Sequence, residues 1–126
     1  MTAAPIRIIV VDDSPLYRRT ICDIIEKQPN LQIVAEAGDG AYAIQAIKEH
    51  RPDVVLMDIT LPVMDGLEAT RIITSKFPDT RVIILSMHSG DTMNSSSCQA
   101  GACSYLCKDC SINEILGAIE SDHHKS

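Results

Sequence analysis

Apolar residues in this chain gather in short runs, and four of these runs stop on a residue able to handle phosphate or a metal ion. Ile6-Arg7-Ile8-Ile9-Val10-Val11 meets Asp12-Asp13, and Val54-Val55-Leu56-Met57 meets Asp58. Val82-Ile83-Ile84-Leu85 meets Ser86, and Cys103-Ser104-Tyr105-Leu106-Cys107 meets Lys108. Short β-branched runs predict buried strands of a parallel sheet, because helices cover both of its faces. Leu31-Gln32-Ile33-Val34-Ala35 reads as one more strand.

Between the strands the apolar spacing becomes helical. Ser14-Pro15 sets a cap residue before a proline suited to the first helical position, and Tyr17, Ile21, Ile24 and Ile25 then recur until Pro29. After Asp39-Gly40, residues Ala43, Ile44, Ala46 and Ile47 mark a second helix that ends before Pro52. A third turns Ala69, Ile72 and Ile73 inward and stops near Phe77-Pro78. The last opens with Ser111 and Glu114 at capping-box spacing and sets Ile112, Ile115, Leu116 and Ile119 on one face. The segment Ser89 to Ala100 is rich in Ser, Thr and Asn, whose side chains compete for backbone hydrogen bonds, so it predicts a short, mobile fourth helix. The expectation is an α/β fold: a doubly wound five-stranded parallel sheet with five helices and right-handed crossovers.

In such sheets ligands bind outside the carboxyl ends of the strands. Three carboxylates, a hydroxyl and an ammonium would then converge on one pocket. Asp12, Asp13 and Asp58 would repel one another unless a cation intervenes or one takes up a proton. Mg²⁺ answers that demand, since it suits one or two carboxylates plus waters and a phosphoryl oxygen. Asp12 or Asp13 could instead cap the first helix, but a cap does not account for Asp58 and Lys108. Lys108 is a point charge suited to a phosphoryl oxygen, and Ser86 offers a hydroxyl to the same group. Asp58 stands as the single acid of the set, and a carboxylate can attack phosphorus to form an acyl phosphate. Catalysis of that step is mostly positioning and charge neutralisation.

The 126 residues suit one domain, and 45% hydrophobic content supports a core that Ile, Val, Leu and Ala must fill, since aromatics make up only 3%. A net charge of −6 speaks against this domain gripping nucleic acid, which needs a basic face. No apolar stretch approaches membrane-spanning length and no targeting segment is visible, so a cytoplasmic protein with reduced cysteines is expected. Cys98, Cys103, Cys107 and Cys110 cluster, and Cys107-Lys108-Asp109-Cys110 is formally a C-x-x-C. Zinc sites usually separate close pairs by a longer spacer, and cysteines inside a strand serve as small apolar residues, so packing is the expectation. Residues 121–126, with His123 and His124, read as a polar, frayed tail after a domain spanning 1–120.

From Ile6 to about Ile119 the chain resembles the receiver domain of bacterial two-component response regulators. The resemblance rests on Val10-Val11-Asp12-Asp13-Ser14-Pro15, Pro52-Asp53-Val54-Val55-Leu56-Met57-Asp58, Leu61-Pro62-Val63-Met64-Asp65-Gly66, Leu85-Ser86-Met87-His88 and Gly101 to Asp109. It implies a flavodoxin-like fold with strand order 2-1-3-4-5, and it makes Asp58 the residue phosphorylated by a partner sensor histidine kinase. It also implies Asp13 and Asp58 as side-chain ligands of Mg²⁺ (with Mn²⁺ the alternative), the Thr60 carbonyl as a third ligand, and Asp12 acting largely through water. Ser86 takes the switch hydroxyl position, Tyr105 the switch aromatic, and Lys108 the salt-bridge partner of the phosphoryl group.

Phosphorylation would bias an equilibrium at the face built from the Ser89–Ala100 segment, the fifth strand and the last helix. Thr60 and His88 would flank the pocket, and Met87 would slow hydrolysis by occluding it. Lys108-Asp109 stands where Lys-Pro is common, so no cis proline follows. With Leu85-Ser86-Met87-His88, that departure resembles the subgroup whose receivers precede a LuxR-type helix-turn-helix output domain. The resemblance leaves two readings, a receiver cut from a longer transcription regulator or a stand-alone receiver acting by protein–protein contact, and the polar tail favours the first. Homodimerisation on phosphorylation fits either. An aspartate-nucleophile phosphatase would want Asp-x-Asp after the first strand, a flavin module a phosphate-cradling Ser/Thr/Gly loop, and a degenerate scaffold damaged carboxylates; this chain has none of these.

Overall fold

Every apolar run becomes a strand of a single parallel sheet in the computed structural model, which describes residues 4–58, 66–86, 104–108 and 111–123. The strands are β1 (Ile6–Val11), β2 (Leu31–Ala37), β3 (Val54–Asp58), β4 (Arg81–Ser86) and β5 (Ser104–Cys107). They lie in the order β2-β1-β3-β4-β5, all neighbours parallel, as expected. The described helices are α1 (Pro15–Glu26), α2 (Gly40–His50), α3 (Gly66–Lys76) and α4 (Ile112–His123). The segment from Ser89 to Ala100, where a soft helix was expected, lies outside the described residues.

Side-chain alternation along the strands divides the core into two layers. Ile9 and Val11, Val55 and Met57, and Val82 and Ile84 pack with Ala43 and Ile47 of α2 and Ala69 and Ile73 of α3. Their neighbours Ile8 and Val10, Val54 and Leu56, and Ile83 and Leu85 pack with Ile21 and Ile25 of α1 and Ile115 and Ile119 of α4. Strands buried on both faces explain why the runs are continuously apolar rather than alternating. Truncating one such residue, as in Ile84→Ala, would cost about 2–5 kcal/mol.

Local chemistry starts and stops the helices. Ser14 caps α1, its Oγ accepting the Tyr17 N–H at 3.3 Å, with Pro15 at the first helical position. Asp39 caps α2 by accepting the Tyr42 N–H at 2.8 Å, and Ser111 Oγ accepts the Glu114 N–H at 3.2 Å at the start of α4. Arg51 ends α2 in the left-handed region (φ 49°), and its guanidinium lies 5.0 Å from the Phe77 ring centroid.

One irregularity departs from the simple pattern. β2 runs two residues beyond the expected Ala35, and its register against β1 shifts, from Ile8 opposite Ile33 to Ile9 opposite Ala35. Val34 is thereby the extra residue of a bulge, which inverts the facing of everything after it. Glu36 pairs with Val10 and so faces α1, where Arg18 Nε meets its carboxylate at 3.1 Å.

Candidate phosphoacceptor site

Three strands deliver their carboxyl ends to one place. Asp12 follows β1 directly, and its N–H donates to the Ala37 carbonyl at 3.0 Å, carrying the β1–β2 ladder one residue further. Asp58 is the last residue of β3, opposite Leu85 of β4. Lys108 follows β5, and its N–H donates to the Ser86 carbonyl at 2.7 Å. Asp12 and Asp58 are buried and Asp13 is exposed, yet oxygens of all three lie within 4.8 Å of one another.

The Lys108 ammonium holds this cluster together. Its Nζ lies 2.6 Å from Asp12 Oδ2 and 3.4 Å from Asp58 Oδ2, and its side chain is only 9% exposed. Asp12 is committed on both oxygens, because Oδ1 accepts the Ser14 N–H at 2.8 Å. The cap weighed for Asp12 or Asp13 falls to Ser14 instead, and Asp12 braces the entry to α1 by accepting the Ser14 N–H. Arg18 Nη1 donates to the Asp12 carbonyl, so the salt bridge to Glu36 also steadies this turn.

Strand alternation sorts the site into two halves. Asp12, Asp58 and Lys108 continue the series Ile8–Val10, Val54–Leu56 and Leu106, which face α1 and α4. Ser86 continues Val82–Ile84, which faces α2 and α3, and half-buried Tyr105 packs against that same layer. The charged groups thus share one side of the sheet end, and the hydroxyl and the aromatic share the other. Ser86 is fully buried.

Three clustered carboxylates, two of them paired with one ammonium, suit a hard divalent cation, and an all-oxygen donor set of this kind matches Mg²⁺. Asp12, Asp13 and Asp58 each offer a carboxylate oxygen that could hold such an ion, with Asp12 also engaged by Lys108 and Ser14 and Asp58 by Lys108.

Residues 8–120 match the response regulator receiver domain family. The chain belongs to that family. The transcriptional regulatory protein DegU of Brevibacillus brevis is 33% identical over 115 residues, covering 91% of this chain and 49% of that protein. The signal receiver domain of the response regulator NarL from Mycobacterium tuberculosis superposes with a TM-score of 0.93 at 33% identity, over 98% of this chain and 100% of that one. A LuxR-family two-component response regulator from Aurantimonas sp. SI85-9A1 gives a TM-score of 0.90 at 38% identity, covering 94% and 85% of the two chains. This receiver domain spans about half the length of the curated relatives it matches.

The pocket-flanking residues Thr60, Met87 and His88 lie outside the described residues, as do Cys98, Cys103 and Cys110 of the cysteine cluster. Cys107 is half-buried at the end of β5. Cys22 is buried on the inner face of α1, and the pKa of its thiol is pushed up to about 12 by burial first and by Glu36 and Glu26 after that, so it is held protonated. Among the described residues no helix is long and apolar enough to cross a membrane.

One contact at the site was not foreseen. Tyr17 reads as a core residue of α1 by its spacing, yet its ring lies against Lys108, with Nζ 4.5 Å from the centroid. The available signal was positional: Tyr17 stands one helical turn past the cap Ser14, and hence beside the end of β1.

Proposed function

We propose that this receiver domain is a phosphoacceptor switch in which Asp58 takes a phosphoryl group from a sensor histidine kinase in the cytoplasm. The observation that carries the reading is the buried Lys108 ammonium shared between Asp12 and Asp58, beside exposed Asp13. An Asp58 carboxylate oxygen attacks phosphorus and forms a P–O bond. The bond from phosphorus to the donor's nitrogen or oxygen breaks, and the donor leaves with the electron pair and takes up a proton from solvent. The product is an acyl phosphate.

Asp13 and Asp58 would hold Mg²⁺, or Mn²⁺ in its place, with the Thr60 carbonyl as a third ligand and Asp12 acting through water. When bound, the ion offsets the negative charge of the phosphoryl oxygens. Lys108 neutralises a further phosphoryl oxygen, moving along the short path between Asp12 and Asp58. Ser86 then turns its hydroxyl toward the phosphoryl group, and Tyr105, on the same side of the sheet, moves into the vacated space. Thr60, Met87 and His88 govern how readily water reaches the acyl phosphate.

The altered surface around β5 and α4 is read by a partner segment. The length of the transcriptional relatives and the likeness to a LuxR-family regulator support a DNA-binding output domain in the full protein. Homodimerisation on phosphorylation would fit that output. Incubation with Mg²⁺ and acetyl phosphate tests the reading. Intact mass should rise by one phosphoryl group, and the Asp58→Ala variant should show no rise; an unchanged wild-type mass would overturn it.

A further inference from the structure

We infer that Tyr17 is a positioning residue for Lys108, its ring holding the ammonium over the pocket before the phosphoryl group arrives. The inference rests on the phosphoacceptor reading of the site. Among the described residues Lys108 Nζ meets two kinds of neighbour: the carboxylates of Asp12 at 2.6 Å and Asp58 at 3.4 Å, and the Tyr17 ring at 4.5 Å. The carboxylates alone would draw the ammonium to Asp12, the closer of the two, and away from the group that must receive phosphorus.

An aromatic face attracts a cation through its quadrupole without fixing a single direction. The ammonium can therefore slide from Asp12 toward Asp58 while staying on the ring, where a hydrogen-bonding partner would hold it in one place. The ring is itself anchored. Its backbone N–H is bound by Ser14 Oγ, and its body packs on the layer beneath α1 and α4. Because the Lys108 side chain is largely withdrawn from water, the attraction is not dissipated by solvent.

A purely packing role for Tyr17 predicts that any apolar replacement of similar bulk serves. A positioning role requires the ring and is indifferent to the hydroxyl. Tyr17→Phe and Tyr17→Leu separate the two, with Tyr17→Met in place of the Leu variant if that one fails to fold. The first readout is the proton shift of the Lys108 ε-methylene in the unphosphorylated protein. It should lie upfield through the ring current in wild type and Tyr17→Phe, and return to the ordinary lysine value in the aliphatic variants.

The second readout is the rate of phosphorylation by acetyl phosphate at saturating Mg²⁺. Tyr17→Phe should stay within about 2-fold of wild type, and the aliphatic variant should fall by about 3- to 30-fold, the span from an exposed to a desolvated cation–ring contact. An aliphatic variant as fast as wild type, or Tyr17→Phe as slow as the aliphatic one, would overturn the inference while leaving the phosphoacceptor reading intact. A wild type that takes no phosphoryl group would overturn both. A wild-type shift at the ordinary lysine value would remove the contact on which the inference stands.

Discussion

The two ends of this sheet both carry buried or half-buried polar side chains, but they satisfy them in opposite ways. At the amino end Asp53 and Thr80 are bound to backbone groups. Asp53 accepts the Arg7 N–H at 2.9 Å, and Thr80 Oγ1 donates to the Pro52 carbonyl at 2.9 Å. At the carboxyl end the polar groups face each other, with one ammonium divided between two buried carboxylates and a third close by. The first arrangement is closed and has one stable state. The second holds an excess of negative charge that an incoming cation or a phosphoryl group with its cation would rebalance. A buried polar residue is a functional candidate when its partners are other ionisable side chains, and a structural one when its partner is the main chain.

The comparison breaks most visibly at Lys108. Lys108→Ala leaves Asp12 and Asp58 buried against each other without the shared ammonium, which should cost about 3–5 kcal/mol in chemical denaturation. The same change should slow phosphorylation by acetyl phosphate about 100- to 1,000-fold, the usual loss when one fixed electrostatic stabiliser is removed. Divalent ions should act on the carboxyl end alone. Mg²⁺ at about 100 times its dissociation constant should stabilise the fold by about 2.7 kcal/mol, and EDTA or Asp13→Ala should abolish that gain in a thermal melt.

How much of this was readable beforehand follows the same division. Asp12, Asp58, Ser86 and Lys108 announce themselves because each terminates an apolar run, and parallel strands bring their ends together whatever the loops do. The caps Ser14 and Ser111 were readable for a similar reason, being local. The bulge at Val34 was not, because Leu31 to Ala37 contains no glycine or proline to mark an extra residue. Its consequence, Glu36 turned toward Arg18, was hidden with it. Tyr17 packs on the core as its spacing indicates, but its contact with Lys108 was not readable, because the two lie 91 residues apart and only the sheet order makes them neighbours.

Smaller changes sharpen the contrast from the other side. Thr80→Val removes the hydroxyl bound to the Pro52 carbonyl and should cost about 1–2 kcal/mol, with phosphorylation yield unchanged. Cys22 gives the smallest effect near neutrality. Its thiol stays protonated in the fold up to about 12, so above its ordinary value of 9.0 the unfolded chain loses a proton that the folded chain keeps. This contribution is fully present below that value and declines at about 1.4 kcal/mol per pH unit above it. Comparing wild type with Cys22→Ala from pH 8 to pH 10 should show the excess slope only in the wild type.

The central claim is that phosphorus is received at one carboxylate of the three. Borohydride reduces an acyl phosphate to the alcohol, so an aspartyl phosphate becomes homoserine at the position that carried it. After incubation with Mg²⁺ and acetyl phosphate followed by borohydride, peptide sequencing by mass spectrometry should find homoserine at position 58 and aspartate at positions 12 and 13. Homoserine at position 12 or 13, or aspartate at all three, would contradict the account.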